Sequence, residues 1–190
     1  MINLKMMSLK KTNSQKFLLI ASSLATGIST IAASYSFLQQ MMPDVTCYND
    51  AIIDVNLSNI LPGKALLVKW RGSVVVIKNR TQEEIDYAKK IPLSQLKDKL
   101  ARNPNLPANS LATDEARSAG KNGENWFIYI NRCTHLGCPM LDQMAQHNRI
   151  FCPCHGSIYD TAGRVLSGPA PTNLNIPPYK FISPQTIRIG

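Results

Sequence analysis

Two short stretches hold most of the side chains able to bind metal or carry redox chemistry. The first reads Cys133-Thr134-His135-Leu136-Gly137-Cys138, the second Cys152-Pro153-Cys154-His155-Gly156-Ser157. Together they contain four of the five cysteines and two of the three histidines within 23 positions. Thiols and imidazoles at that density point to metal binding or reactivity rather than to packing. Cys133, His135, Cys152 and His155 supply two thiolates and two imidazoles, a set that also suits tetrahedral zinc. Six candidate ligands exceed what one such site accepts, so Cys138 and Cys154 need a separate explanation. A disulfide clamping the two loops together is one, and such bonds persist outside the reducing cytosol.

The elements that must position these loops read as mostly β. The 12 prolines and 10 glycines, with only 7% aromatic residues, fit turn-rich strands better than a helical bundle. Alternating or β-branched runs at Ile52–Leu57, Leu66–Trp70 and Val74–Ile77 predict strands, and the Arg71-Gly72-Ser73 turn joins the last two as a hairpin. Thr81 and Glu84 form a capping-box pattern that opens a helix through about Lys90. A second helix is expected from Pro92 to before Pro104, then a loop over Asn103–Asn122. Trp126–Ile130 predicts a buried strand. Further strands are expected near Arg149–Phe151, Asn173–Ile176, Lys180–Ile182 and Thr186–Ile189.

At 190 residues, 44% of them hydrophobic and 17% charged, the chain holds one compact domain plus an appendage. Its net charge of +9 is unevenly placed: Lys5, Lys10, Lys11 and Lys16 precede the first acidic residue, Asp44, and the remainder balances 17 basic against 12 acidic residues. No basic stripe with interleaved aromatics appears, which argues against nucleic acid as a partner. Phe17 to Leu38 runs 22 residues without a charge. As a helix it extends roughly 33 Å, the thickness of a bilayer's hydrocarbon core. Ala32-Ala33-Ser34 mimics a signal-peptide cleavage site, yet the apolar run exceeds the ~7–15 residues usual there. The lysines before it place the N-terminus in the cytoplasm and the rest on the outer side of the membrane. The expected organisation is a tail (1–16), an anchor (17–38), a flexible linker (39–50) and a head (51–190) with metal-binding loops at about 132–171.

With both motifs in view, the chain resembles the Rieske iron–sulfur proteins, whose pattern is C-x-H, a gap of about 15–17 residues, then C-x-x-H. His135 and Cys152 are separated by 16 residues. The anchor, Leu66–Ile85 (LLVKWRGSVVVIKNRTQEEI) and Ser167–Pro171 (SGPAP) extend the likeness over nearly the whole chain, to the iron–sulfur subunits of ubiquinol–cytochrome c reductase. The resemblance implies an antiparallel β head with a cluster-binding subdomain and short helices behind a single transmembrane helix. It also implies one [2Fe–2S] cluster with Cys133 and Cys152 on the inner iron and His135 and His155 on the outer iron. Cys138 and Cys154 match the paired cysteines of the high-potential branch. Ser157 and Tyr159 stand at the positions whose hydroxyls face cluster sulfurs, and Gly137 and Gly156 allow close backbone approach. Leu136 resembles the residue covering the cluster tip, and Pro169 lies in the matching proline-rich loop.

The same resemblance implies that the subunit takes an electron from ubiquinol, His155 accepting the proton, and passes the electron to a c-type cytochrome. Cytochrome b, that cytochrome and a dimeric membrane complex are the implied partners, with the head rotating on its linker. Some features depart from the family. Lys10-Lys11 stands where many bacterial relatives carry twin arginines, Met140 follows Cys138-Pro139 in a loop that often has valine before the proline, and the linker holds Met41, Met42 and Pro43. Cys47 reads as an isolated thiol and His147 as a polar loop residue. The small subunit of an arsenite-oxidase-type enzyme is the competing redox reading, and a zinc-stabilised binding module the non-redox one.

Overall fold

The computed structural model describes residues 12–42, 51–119, 125–142 and 149–190. Cys47, Pro43 and His147 lie outside the described residues. The chain divides into two compact units, Met1–Asp44 and Val45–Gly190.

The first unit is one helix, α1 (Asn13–Met41), opened by a capping box between Thr12 and Gln15. No residue of it is buried, so its apolar surface has no protein cover within the unit. Most of the serines and threonines that lower its hydrophobicity spend their hydroxyl protons within the helix. Ser22, Ser23, Thr26, Ser29, Thr30 and Ser36 each donate to a helix carbonyl three or four residues earlier. That satisfies the groups a lipid environment leaves without partners. Its length and composition suit a single membrane crossing. The helix exceeds the uncharged run, continuing through Gln39–Met41. Met42, directly before Pro43, is extended (ψ 140°), because the proline ring disfavours helical geometry in the residue preceding it.

In the second unit the described strands form three antiparallel sheets. β2 (Ala65–Trp70), β3 (Ser73–Asn79) and β4 (Trp126–Ile130) make a consecutive sheet, β3 in the middle. Here the period of two decides everything. Val76, Phe127 and Tyr129 project to one face and pack with Cys133, Met140, Ile150, Cys152, Tyr159, Val165, Ala170 and Leu174. Val75, Ile77 and Ile128 project to the other and pack with Val55, Ile187 and Ile189 of a second sheet. That second sheet orders β1 (Ile53–Asn56) beside β10 (Thr186–Ile189) and then β9 (Tyr179–Ser183). The metal-motif loops belong to a third sheet of very short strands: β5 (Leu141–Asp142), β6 (Ile150–Phe151), β7 (Ile158–Tyr159) and β8 (Val165–Ser167).

Helix α2 (Gln82–Lys90) begins at the Thr81–Glu84 capping box. The helix expected over residues 92–104 does not form. Only a 3-10 turn, Leu93–Gln95, is present. Beyond it Asp98 accepts from the Leu100 N–H, and Arg102 adopts φ 51°, so the chain is spent on local turns. Within the expected loop 103–122, Thr113 caps a one-turn helix, α3 (Asp114–Arg117). The strand expected at Asn173–Ile176 is also absent as a ladder. Its backbone is instead hydrogen-bonded piecemeal, the Asn173 N–H to Asp98, the Leu174 N–H to Gly163, and the Asn175 carbonyl from Ile130.

Buried arginines tie these helical segments to the motif-bearing sheet. Arg80 pairs with Asp114, and Arg164 with Asp160. Arg117, 1% exposed, donates to the carbonyls of Ala162, Ala101, Gly163 and Leu174 and lies over the Phe127 ring. Burial pushes Arg117 down to about 9, with Asp160 acting against that shift, so it remains a cation at neutral pH.

Candidate metal centre

The two motif loops are built on one plan. In the first, the Gly137 N–H returns to the Cys133 carbonyl at 2.9 Å and the Cys133 N–H reaches the Cys138 carbonyl at 2.7 Å. In the second, the Gly156 N–H returns to Cys152 at 3.0 Å and the Cys152 N–H reaches Ser157 at 2.8 Å. Closing either turn requires a residue in the left-handed region, supplied by Gly137 at φ 82° and Gly156 at φ 75°. Each loop is thereby a preformed knuckle with a cysteine at its base.

Cys138 and Cys154 are joined as a disulfide, Cα atoms 6.6 Å apart, which fastens one knuckle to the other. Their sulfurs and that of Cys152 lie within 4.8 Å of one another, yet the bridged pair has no thiolate to offer a metal. Cys133 and Cys152 are unbridged and buried. The His135 and His155 rings meet edge to face, centroids 4.8 Å apart. His155 is exposed and His135 partly so.

Several polar groups converge on Cys133. The Tyr159 hydroxyl lies 3.4 Å from its sulfur and 3.0 Å from the Thr134 hydroxyl. Thr134 in turn donates to the Thr172 carbonyl at 2.7 Å. Burial raises the Cys133 thiol, but hydrogen bonds from Tyr159, the His135 backbone, Cys152 and Ser157 outweigh it and hold the thiol below its ordinary value. Cys152 is pushed up by burial and by its neighbour Cys133, against the pull of the Cys154 and His155 backbone groups. Tyr159 is raised by burial and by the Cys133 sulfur, so it stays a protonated donor.

This arrangement fits an iron–sulfur cluster. It presents two buried unbridged thiols and two adjacent imidazoles, a mixed sulfur and nitrogen donor set. One further observation fits: His135 Nδ1 is buried and has no hydrogen-bond partner among the described residues. A buried ring nitrogen without a partner is costly unless a ligand uses its lone pair.

Around this centre, Leu136 stands 70% exposed between the two ligand-type residues and the glycine of its knuckle. Pro169 is exposed in the 167–171 loop, while Ala170 beside it is fully buried and donates its N–H to the Ser157 hydroxyl. Sequence reasoning did not single out Thr134, Lys97 or Asn173. Thr134 lies inside the first motif, and only the position of its hydroxyl between two ligand-type residues would have flagged it. Lys97 and Asn173 are remote in sequence from the residues they contact, so no local pattern marks them.

Residues 103–179 match the family described as Rieske [2Fe-2S] domain. The ubiquinol–cytochrome c reductase iron–sulfur subunit of Rickettsia felis is 39% identical over 182 residues, 95% of either chain. That of Cereibacter sphaeroides is 42% identical over 175 residues, covering 92% of this chain and 93% of the relative. Among solved structures, a chain described as Hyperthermophilic respiratory Complex III is 21% identical, with TM-score 0.48, covering 88% of this chain and 97% of that one. Identity at this level along almost the full length shows that the chain belongs to the Rieske iron–sulfur subunits of ubiquinol–cytochrome c reductase.

Proposed function

We propose that Cys133 and Cys152 hold one iron of the cluster, that His135 and His155 hold the other, and that His155 receives the proton when ubiquinol is oxidised. The subunit itself is an electron-transfer component of a quinol–cytochrome c reductase type respiratory complex. A [2Fe–2S] cluster in which imidazoles replace two thiolates supplies a one-electron acceptor at about −150 to +300 mV, well above plant-type ferredoxins. The observation that carries the residue assignment is the edge-to-face meeting of His135 and His155, contributed by the same two loops that carry the two buried, unbridged thiols.

The chain's own residues divide the remaining work. His155 is exposed, so a ring nitrogen not spent on metal can accept a hydrogen bond from a quinol hydroxyl and then take its proton. Tyr159 and Ser157 donate toward sulfur and favour added negative charge there. Leu136 and Pro169, both exposed, offer an apolar rim to cytochrome b and, in turn, to a c-type cytochrome. The lysines before α1 support a cytoplasmic N-terminus and a periplasmic head, within a dimeric complex.

Electron paramagnetic resonance of ascorbate-reduced membranes, with and without a quinol-site inhibitor, tests this. A Rieske-type signal that the inhibitor perturbs is expected. A silent spectrum, or a signal indifferent to the inhibitor, contradicts the assignment.

A further inference from the structure

The proline-rich loop over residues 167–171 has little hydrogen bonding of its own, because Pro169 and Pro171 lack N–H groups. What holds it comes from elsewhere. Gly168, at φ 92°, lies so close to the second knuckle that a Cβ there would meet the Ser157 Cα at 2.5 Å and the Gly156 carbonyl at 2.9 Å. The Ala170 N–H donates to the Ser157 hydroxyl at 3.1 Å. Lys97 Nζ donates to the Gly168 carbonyl at 3.1 Å and the Ala170 carbonyl at 2.9 Å, gripping the carbonyls on either side of Pro169. The next residue continues the grip: Asp98 accepts from the Asn173 N–H, and its own carbonyl accepts from Asn173 Nδ2.

We propose that Lys97 is a positioning residue for the redox centre, acting through the proline-rich loop on the Ser157 hydroxyl. Ser157 has one proton. Its oxygen accepts from the Ala170 N–H, which fixes the hydroxyl's orientation, and its side chain lies in hydrogen-bonding reach of the Cys133 sulfur, where the proton can be donated. Lys97 fixes the two carbonyls flanking Pro169 and thereby the register in which Ala170 meets Ser157. Loosening that register weakens a donor that stabilises the reduced centre, so the potential falls. Ser157 and Ala170 are both fully buried, so water does not replace the weakened donor. This inference rests on the ligand assignment proposed above.

The test is a redox titration followed by electron paramagnetic resonance on membranes carrying the whole complex, comparing wild type, Lys97→Met, Lys97→Gln and Lys97→Arg. Lys97→Met is expected to lower the midpoint potential by the same amount at low and high ionic strength. Lys97→Arg, which keeps donors in reach of both carbonyls, should restore the wild-type value, and Lys97→Gln should fall between. An unchanged potential in Lys97→Met overturns the proposal. So does a shift that vanishes at high salt, since that marks a screened surface charge. If Lys97→Met assembles no signal, Lys97→Gln decides by its intermediate potential, and loss of signal in that variant as well assigns Lys97 to assembly and overturns the proposal. A wild-type sample without a Rieske-type signal refutes the ligand assignment itself, a separate failure.

Discussion

The phenolic oxygen of Tyr159 lies 3.4 Å from the sulfur of Cys133. Its neighbour Thr134 has committed its own proton to the Thr172 carbonyl and can only accept from the phenol. The Tyr159 proton therefore has two destinations, the Thr134 oxygen and the Cys133 sulfur, and a thiolate is the stronger acceptor. Tyr159→Phe removes that donor while keeping the ring. A hydrogen bond to a charged group contributes about 1.5–3 kcal/mol. For a one-electron couple about 1.4 kcal/mol corresponds to roughly 59 mV. Tyr159→Phe should thus lower the midpoint potential by roughly 60–130 mV, read in a spectroscopic redox titration, with the centre still assembled.

Cys138→Ser opens the disulfide between the knuckles, whose cysteines are 16 positions apart. Closing a loop of that size restricts the unfolded chain by about 3 kcal/mol in the chain-entropy account. The variant should retain less iron and acid-labile sulfide per chain after purification. Retention and potential equal to wild type would remove the clamp from the account.

Much of this centre is legible in the sequence because its ligand-type residues lie in two local motifs, where each knuckle closes by hydrogen bonds within six residues. The strands carrying the core are legible for a similar reason: Val75–Ile77 and Trp126–Ile130 are dense in β-branched and aromatic residues. The errors fall where long-range partners take over. Residues 92–104 have helical composition, but Lys97 and Asp98 bond to a loop more than 70 positions away, and Arg102 adopts a left-handed turn. Asn173–Ile176 is extended without being a ladder, because its partners come from three separate segments. The strands at Leu141–Asp142, Ile158–Tyr159 and Val165–Ser167 are two or three residues long, too short to show a period.

Gly163 marks a position where the fold tolerates no side chain. At φ 67° an added Cβ would run into the Phe127 ring and meet the Arg117 guanidinium at 3.0 Å, both groups being buried. Left-handed strain of about 1–3 kcal/mol combines with overpacking of similar size. Gly163→Ala should therefore lower the temperature at which the reduced-state signal is lost from membranes by several degrees, and an unchanged temperature would show that the ring and guanidinium can withdraw.

Asp98 supplies an acid-sensitive fastening. Burial raises its carboxyl, but hydrogen bonds from Arg102, Asn173 and Leu100 outweigh it, leaving the folded value below the ordinary one. A group depressed on folding contributes stability above its unfolded value and loses that contribution as pH falls through the folded value. The window lies below about pH 4. Asp98→Asn should flatten the pH dependence of cluster loss in that window relative to wild type, measured as residual signal after timed exposure to acid.

The most direct test of the centre is pulsed electron paramagnetic resonance on the reduced complex, grown with unlabelled or nitrogen-15 histidine, alongside iron and sulfide analysis. Ligation by His135 and His155 predicts couplings to two inequivalent imidazole nitrogens that change with the label, and two irons with two sulfides per chain. Couplings absent or insensitive to the histidine label would contradict it, as would zinc in place of iron.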